Sequence, residues 1–281
     1  MDFRKFSSLI MIEQTLFALP FAYLGVLFAN GKSIPTWILV TIAFVAARTA
    51  GMSFNRIIDA NVDAKNPRTK DRLIPRGDVK KSQVWLIALG SSVVLAVASL
   101  LLNRLCFYLS FPAIFLLFTY SYFKRFSSSS HFYLGLVEAV APIGGYIAVT
   151  GKFSVVPILL GSAILLWIAG LDIVYAIQDV DFDRKEGLYS FPSVFGEKAA
   201  LMASEVCYAL SICAMIAAGM VTGKSAPYWL ALAGTAFIFT YQQKIIKSGE
   251  VSLALKKFFK ANLYVSPLLL IGALLDVFLQ A

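Results

Sequence analysis

Asn55, Asp59 and Asp63 recur every four residues in RTAGMSFNRIIDANVDAKNPRTKDRLIPRG, the stretch from Arg48 to Gly77. On a helix this spacing stacks three oxygen-bearing side chains on one face. Arg56, Arg68, Lys70, Arg72 and Arg76 surround them. Carboxylates in register can hold a hard cation such as Mg²⁺, which keeps part of its shell for waters and phosphate oxygens. Arg and Lys beside them take up the remaining phosphate charge, Arg through paired hydrogen bonds. The chemistry this points to is recognition of a metal-bound polyphosphate.

A second stretch, GLDIVYAIQDVDFDRKEGLYSFP, crowds Asp172, Tyr175, Gln178, Asp179, Asp181 and Asp183 together. Asp172, Asp179 and Asp183 lie seven and four residues apart and share a helical face with Tyr175, while Asp181 faces elsewhere. Each stretch carries an Asp pair four residues apart, then basic residues, then Gly and Pro. That recurrence is the strongest organisational signal in the chain. One Asp pair alone would be weak, because acid–base pairing on a solvated helix end is common. Two pairs facing each other across a cavity are specific, and they imply a diphosphate with an apolar tail running into the protein.

The elements that must position them are membrane helices. The chain has 281 residues, of which 59% are hydrophobic and 15% charged. Its mean hydropathy is +0.75. A soluble domain of this length needs more charge to cover its surface. Apolar runs long enough to cross a bilayer occur near 8–29, 36–55, 82–102, 105–122, 133–150, 155–176, 199–221, 226–243 and 259–280. The expected fold is all-α: a polytopic membrane protein with nine transmembrane helices around a central cavity open to the cytoplasmic side. Residues 1–281 read as a single integral-membrane domain.

The net charge of +9 does not indicate nucleic acid, because it is sorted by loop. Of the 25 Lys and Arg, only Lys32, Arg104, Lys152 and Lys224 fall on the side opposite the N-terminus, and Arg48 lies inside a span. The other twenty share the N-terminal side. This asymmetry places the N-terminus and the long loops in the cytoplasm and the C-terminus outside. Arg4 and Lys5 before an apolar run imitate a signal peptide, but Glu13 and Gln14 interrupt the run and no A-x-A site follows, so it reads as an uncleaved first helix. Pro20 is expected to kink it.

Other residues carry weaker signals. Arg48 is either half of a structural ion pair or a lining residue of the site, and Glu13 and Glu138 are each either functional acids or paired structural ones. Cys106, Cys207 and Cys213 form no CxxC and read as packing residues. His131 is the only histidine, which excludes a His-based metal site or a His-dependent triad. Gln242, Gln243 and Asn262 read as interhelical hydrogen-bonding or interface residues.

These motifs resemble those of the UbiA superfamily of membrane prenyltransferases. Asn55, Asp59 and Asp63 match its NxxxDxxxD, and Asp179 and Asp183 match its DxxxD in the YxxQD setting of Tyr175 and Gln178. Arg68, Thr69, Arg72, Pro75 and Gly77 match the run after the first motif, and Lys124-Arg125 matches a pair that follows an aromatic span end. The resemblance covers nearly the whole chain and is nearest to the short bacterial branch that prenylates 4-hydroxybenzoate or a dihydroxynaphthoate. The chain departs from many members in having Arg56 directly after Asn55.

The resemblance implies transfer of a polyprenyl group from polyprenyl diphosphate to an aromatic acid acceptor in ubiquinone or menaquinone biosynthesis, at a bacterial inner membrane. It implies Mg²⁺ on Asp59, Asp63, Asp179 and Asp183, with Asn55, Arg68, Arg72, Lys124 and Arg48 toward the diphosphate. It assigns Arg125 to the acceptor carboxylate, and Asp172 and Tyr175 to the acceptor pocket or to proton removal. A terpene cyclase on the same scaffold needs the same metal motifs. A membrane alcohol phosphotransferase would begin its motif with DGxxAR, which is absent. A transporter would place its acids near mid-bilayer rather than at span ends.

Overall fold

The computed structural model describes residues 3–247 and 251–279, with no side chains described for 251–253. The described residues form helices in the order α1 (Phe3–Ile10), α2 (Ile12–Phe28), α3 (Ile34–Ile58), α4 (Ala60–Asp63), α5 (Lys81–Leu102), α6 (Arg104–Phe123), α7 (Ser130–Thr150), α8 (Val155–Ala176), a 3-10 turn (Ile177–Asp179), α9 (Val180–Glu186), α10 (Phe191–Phe195), α11 (Glu197–Val221), α12 (Ala226–Lys247), α13 (Val251–Asn262) and α14 (Val265–Leu279). The last residue of the expected 259–280 span lies outside the described residues.

Among the described residues, seven helices are long and apolar enough to cross a membrane, and the bent pair α1–α2 raises the number to eight. Of the nine expected spans, 226–243 is the one whose helix, α12, falls short of this test of length and composition. α12 has the length but carries Gln242, Gln243, Lys244 and Lys247 in its last turns. The amide nitrogens of its glutamines find partners inside the protein: Gln242 Nε2 donates to the Phe258 carbonyl and Gln243 Nε2 to Ser204 Oγ, each at 2.9 Å. Likewise Trp167 Nε1 donates to Asn262 Oδ1 at 2.9 Å. These are the interhelical bonds expected of Gln242, Gln243 and Asn262.

The first span breaks at Met11 rather than at Pro20. α1 and α2 meet at 54°, and Met11 takes a left-handed backbone with φ 51°. α2 continues through Pro20 as one helix. α1 turns Leu9 and Ile10 into the protein and leaves Phe3 and Arg4 exposed.

α7 lies along α8, α3 along α5, α11 along α8 and α2 along α7. The α2–α7 crossing depends on two glycines. A Cβ on Gly25 would stand 2.1 Å from the Pro142 carbonyl oxygen, and one on Gly145 would stand 2.1 Å from that of Ala22. In lipid, helices gain little from burying apolar surface against each other, so close backbone approach over small residues is a main source of packing. Outward, Leu86, Val93, Leu101, Phe115, Leu230 and Phe237 are exposed, as a lipid-facing surface requires. Cys106 and Cys207 are buried, whereas Cys213 is on this outer surface; all three are free.

Candidate functional site

The first motif sits where α3 ends. Asp59 caps α3 and leads directly into α4. The helical ladder survives the break: Asp59 N–H donates to the Asn55 carbonyl at 2.9 Å, and Asp63 N–H to that of Asp59 at 2.7 Å. The four-residue register therefore holds, and Asn55 Nδ2 reaches Asp59 Oδ2 at 2.7 Å. Asn55 Nδ2 also lies 3.0 Å from Ser121 Oγ on α6, which fixes the amide in place.

Each carboxylate of the first motif has a cation beside it. Lys124 Nζ stands 3.1 Å from Asp59 Oδ2. Arg72 NH1 donates to both oxygens of Asp63 at 2.8 Å. Asp59 is 2% exposed, and its Oδ1 is buried without a hydrogen-bond partner, the Arg125 guanidinium being 3.6 Å away. A buried, unsatisfied carboxylate oxygen is costly unless something binds it.

The second motif lies across from the first. The 3-10 turn at Ile177–Asp179 separates the second motif from α8, and Asp179 then caps α9, which carries Asp183. Asp179 turns to the first loop. Arg68 grips it with Nε on Oδ1 at 3.1 Å and NH2 on Oδ2 at 2.6 Å, and Asn66 Nδ2 reaches Oδ1 at 3.1 Å. The third nitrogen of Arg68 donates to Tyr175 OH at 2.7 Å. Burial works against the charge on Arg68, but the Asp179 hydrogen bonds and nearby Tyr175 outweigh it, so its pKa lies above the usual arginine value. Asp183 is buried on α9, in electrostatic reach of Asp179, Lys124 and His131.

Some expected members stand apart. Arg48 pairs with Glu138 of α7 instead of joining the Asp cluster, so its assignment toward the diphosphate is not matched by a contact there. The pair also places Arg48 beside the pocket that Glu138 lines. Arg125 NH2 donates to the Ile58 carbonyl at 2.7 Å and so closes the end of α3. Glu13 is exposed in the first turn of α2. Arg56 is buried, with Nε 3.4 Å from the Leu9 carbonyl of α1. Asp172 is held by His131, Nδ1 to Oδ2 at 2.7 Å.

Beyond the Arg48–Glu138 pair lies an apolar pocket with about 860 Å³ of empty space, part of it open to the outside. α3, α5, α6 and α7 wall it, with Glu138 and Leu117 at one end and Leu102 and Cys106 at the other. Residues that sequence reasoning missed are Asn66, Ser121 and His131. Asn66 falls inside the motif stretch, so a polar side chain between two charged motifs was its signal. Ser121 and His131 left none, because their partners lie 66 and 41 residues away.

Among the described residues, no group of three or more His, Cys, Asp or Glu side chains is gathered tightly enough to hold a metal by itself. The donors are nevertheless of the right kind for Mg²⁺: carboxylates only, with Asp59 Oδ1 unsatisfied.

The UbiA prenyltransferase family matches residues 18–264. A 4-hydroxybenzoate octaprenyltransferase from Vibrio parahaemolyticus is 31% identical, over 96% of this chain and 93% of that protein. The apo structure of a UbiA homologue from Aeropyrum pernix superposes with a TM-score of 0.88 at 33% identity, covering 94% of this chain and 98% of that one. A UbiA homologue from Archaeoglobus fulgidus, bound to DMAPP and Mg²⁺, shares the fold with a TM-score of 0.73 at 18% identity, over 97% and 99% of the two chains.

Proposed function

The chain belongs to the UbiA prenyltransferase family, and on that premise we propose that it transfers a polyprenyl group from polyprenyl diphosphate to an aromatic carboxylate, 4-hydroxybenzoate or a dihydroxynaphthoate, in quinone biosynthesis. The observation that carries this reading is the fork of Arg68 on Asp179, which draws two acid–base clusters from distant parts of the chain into one site. Curated relatives named as 4-hydroxybenzoate octaprenyltransferases support that acid as the first acceptor to test.

Asp59, Asp63, Asp179 and Asp183 are the residues to hold Mg²⁺ together with the diphosphate. When bound there, the metal supplies Lewis-acid neutralisation of charge on the phosphate oxygens. Asn55 orients the diphosphate, and Arg68, Arg72 and Lys124 receive it. As the allylic C–O bond breaks, its electron pair leaves with the diphosphate, and these cations stabilise the charge that develops. The acceptor ring then attacks the allylic carbon, forming the new C–C bond. The ring proton passes to a base beside the acceptor, for which Asp172 and Tyr175 are the candidates. Arg125 is assigned to the acceptor carboxylate. The apolar pocket suits the isoprenoid chain, and water kept out of it cannot quench the allylic cation.

The charge asymmetry of the loops supports a cytoplasmic N-terminus, an external C-terminus and a site open to the cytoplasmic face of a bacterial inner membrane. The test is to incubate purified protein with Mg²⁺, a polyprenyl diphosphate and, in turn, 4-hydroxybenzoate, 1,4-dihydroxy-2-naphthoate and 1,4-dihydroxy-6-naphthoate. A prenylated acid is the expected product. Diphosphate release without any prenylated acid would instead favour a cyclase.

A further inference from the structure

We propose that His131 is a positioning residue for this transfer, locked as a neutral ring that aims the Asp172 carboxylate; the proposal rests on the prenyl-transfer reading and adds a residue to it. His131 is the second residue of α7, and only 4% of it is exposed. Its Nε2 lies 3.0 Å from the backbone N–H of Phe191. That N–H belongs to the first residue of α10, one of the donors a helix start leaves without an internal partner. A ring nitrogen that accepts a hydrogen bond carries no proton. The ring proton therefore sits on Nδ1, which donates to Asp172 Oδ2 at 2.7 Å.

This arrangement separates orientation from proton relay. A relay would need Nε2 to pick up a proton as Nδ1 gave one away, and the Phe191 N–H occupies the lone pair that step requires. His131 is thus a fixed donor. Asp172 is the mobile partner in chemical terms: its side chain is 30% exposed, against 5% for the ring that holds it. One oxygen is pinned, and the other has no protein partner among the described residues. Asp172 precedes Tyr175 by three residues on α8, so the two share a face one turn apart. Tyr175 OH is in turn bound by Arg68, the residue that joins the two Asp motifs. The open Asp172 oxygen is therefore held one turn from the joined motifs.

The contact also reaches the first motif. Tyr189, two residues before Phe191, donates its N–H to the Lys124 carbonyl at 2.7 Å, and Lys124 pairs with Asp59. The ring thus ties α7 to α8 and to the segment that lies against the end of α6. A residue that only glued these helices would not care which of its nitrogens was kept, and the test uses that difference.

Because His131 is the only histidine in the chain, ¹⁵N-histidine labelling of protein purified through a histidine-free tag reports this ring alone. At neutral pH the spectrum is expected to show a protonated Nδ1 and an unprotonated Nε2. An imidazolium, or the opposite tautomer, overturns the lock whatever the activity. The second measurement is steady-state kinetics of two variants. In His131→Asn the amide nitrogen replaces Nδ1 and keeps the Asp172 contact; in His131→Gln the amide oxygen takes the place of Nε2, keeps the Phe191 contact and loses that to Asp172. His131→Gln is expected to lower kcat by up to about a hundredfold, the scale on which a misplaced catalytic group costs rate, with KM for the polyprenyl diphosphate unchanged. His131→Asn is expected to recover most of that rate. Equal losses in the two variants, or a loss confined to the donor KM, overturn the positioning role. A wild type that makes no prenylated acid sinks the prenyl-transfer reading, and the ring spectrum still decides the lock.

Discussion

Arg68 and Asp179 lie 111 residues apart, and their side chains meet in a two-pronged hydrogen bond with prongs of 3.1 and 2.6 Å. Arg68 belongs to the loop after the first motif and Asp179 to the second motif. The same guanidinium lies 5.1 Å from the centre of the Tyr175 ring and donates to its hydroxyl. One side chain thus sets the distance between the two halves of the site and spans it with positive charge.

Lysine in place of Arg68 would keep the charge and lose the planar fork. Arg68→Lys is expected to raise KM for the polyprenyl diphosphate by about tenfold, the equivalent of one lost charge-assisted hydrogen bond. Arg68→Ala should raise it further and lower kcat as well. Initial rates at varied donor and saturating acceptor check both. A lysine variant with wild-type KM would mean that charge alone is used at this position.

Asp59 has a buried oxygen with no hydrogen-bond partner among the described residues, whereas Asp179 has both oxygens occupied. Loss of either is expected to abolish turnover, because metal and leaving-group stabilisation need both clusters. The two differ in folding. Asp59→Asn keeps the side-chain shape and an oxygen acceptor, so the protein should still insert and elute as wild type. Product formation below about one hundredth of wild type is expected for Asp59→Asn and Asp179→Asn. Mg²⁺ titration in the presence of diphosphate should show weakened binding in each. Retained activity in either variant would refute a metal site shared by the two motifs.

How much of this site could be read in advance depends on how far each contact is from its partner along the chain. Asn55, Asp59 and Asp63 were legible because the hydrogen bonds through the α3–α4 break keep the helical period. Asp179 and Asp183 are legible as a pair, but their relation to Asp172 and Tyr175 is not, since a 3-10 turn of three residues lies between α8 and α9 and leaves no mark in composition. The bond between His131 and Asp172 was invisible: periodicity speaks only of neighbours on one helix. Seven or eight of the nine expected spans meet a test of length and apolar composition; α12 falls below it because Gln242, Gln243 and Lys244 dilute its last turns, while Leu230 and Phe237 on the same helix face outward. Arg48 and Glu138 were each seen as out of place in a membrane, yet their pairing is a fact of how α3 packs on α7.

Arg125 was assigned to the acceptor carboxylate, and its position sharpens the test of that assignment. It closes the end of α3 at the Ile58 carbonyl and lies 3.6 Å from Asp59 Oδ1. Arg125→Ala is expected to raise KM for the acceptor by about tenfold or more, the scale of one lost charge-assisted contact, with a smaller change in KM for the donor. A helix-closing role alone would disturb Asp59 and so weaken donor and acceptor together. Paired KM measurements separate the two outcomes, and an equal rise in both removes Arg125 from the acceptor pocket.

The Arg48–Glu138 pair lies between α3 and α7, Glu138 buried and Arg48 partly so, with side chains 9% and 16% exposed. Glu138 also lines the apolar pocket. Removing one partner strands the other charge in a low-dielectric interior, at a cost of about 3–5 kcal/mol. Removing both strands nothing, and a well-packed apolar pair is often neutral in such a place. Glu138→Leu is therefore expected to lower the thermal midpoint in detergent markedly, and Arg48→Met to lower it by less, because a carboxyl can take up a proton whereas a guanidinium keeps its charge. The double variant should recover most of the loss. Unfolding followed by the tryptophan signal for the four proteins completes the cycle. Additive losses in the double variant would show that the two residues act separately, and that the pair is not what holds α3 against α7.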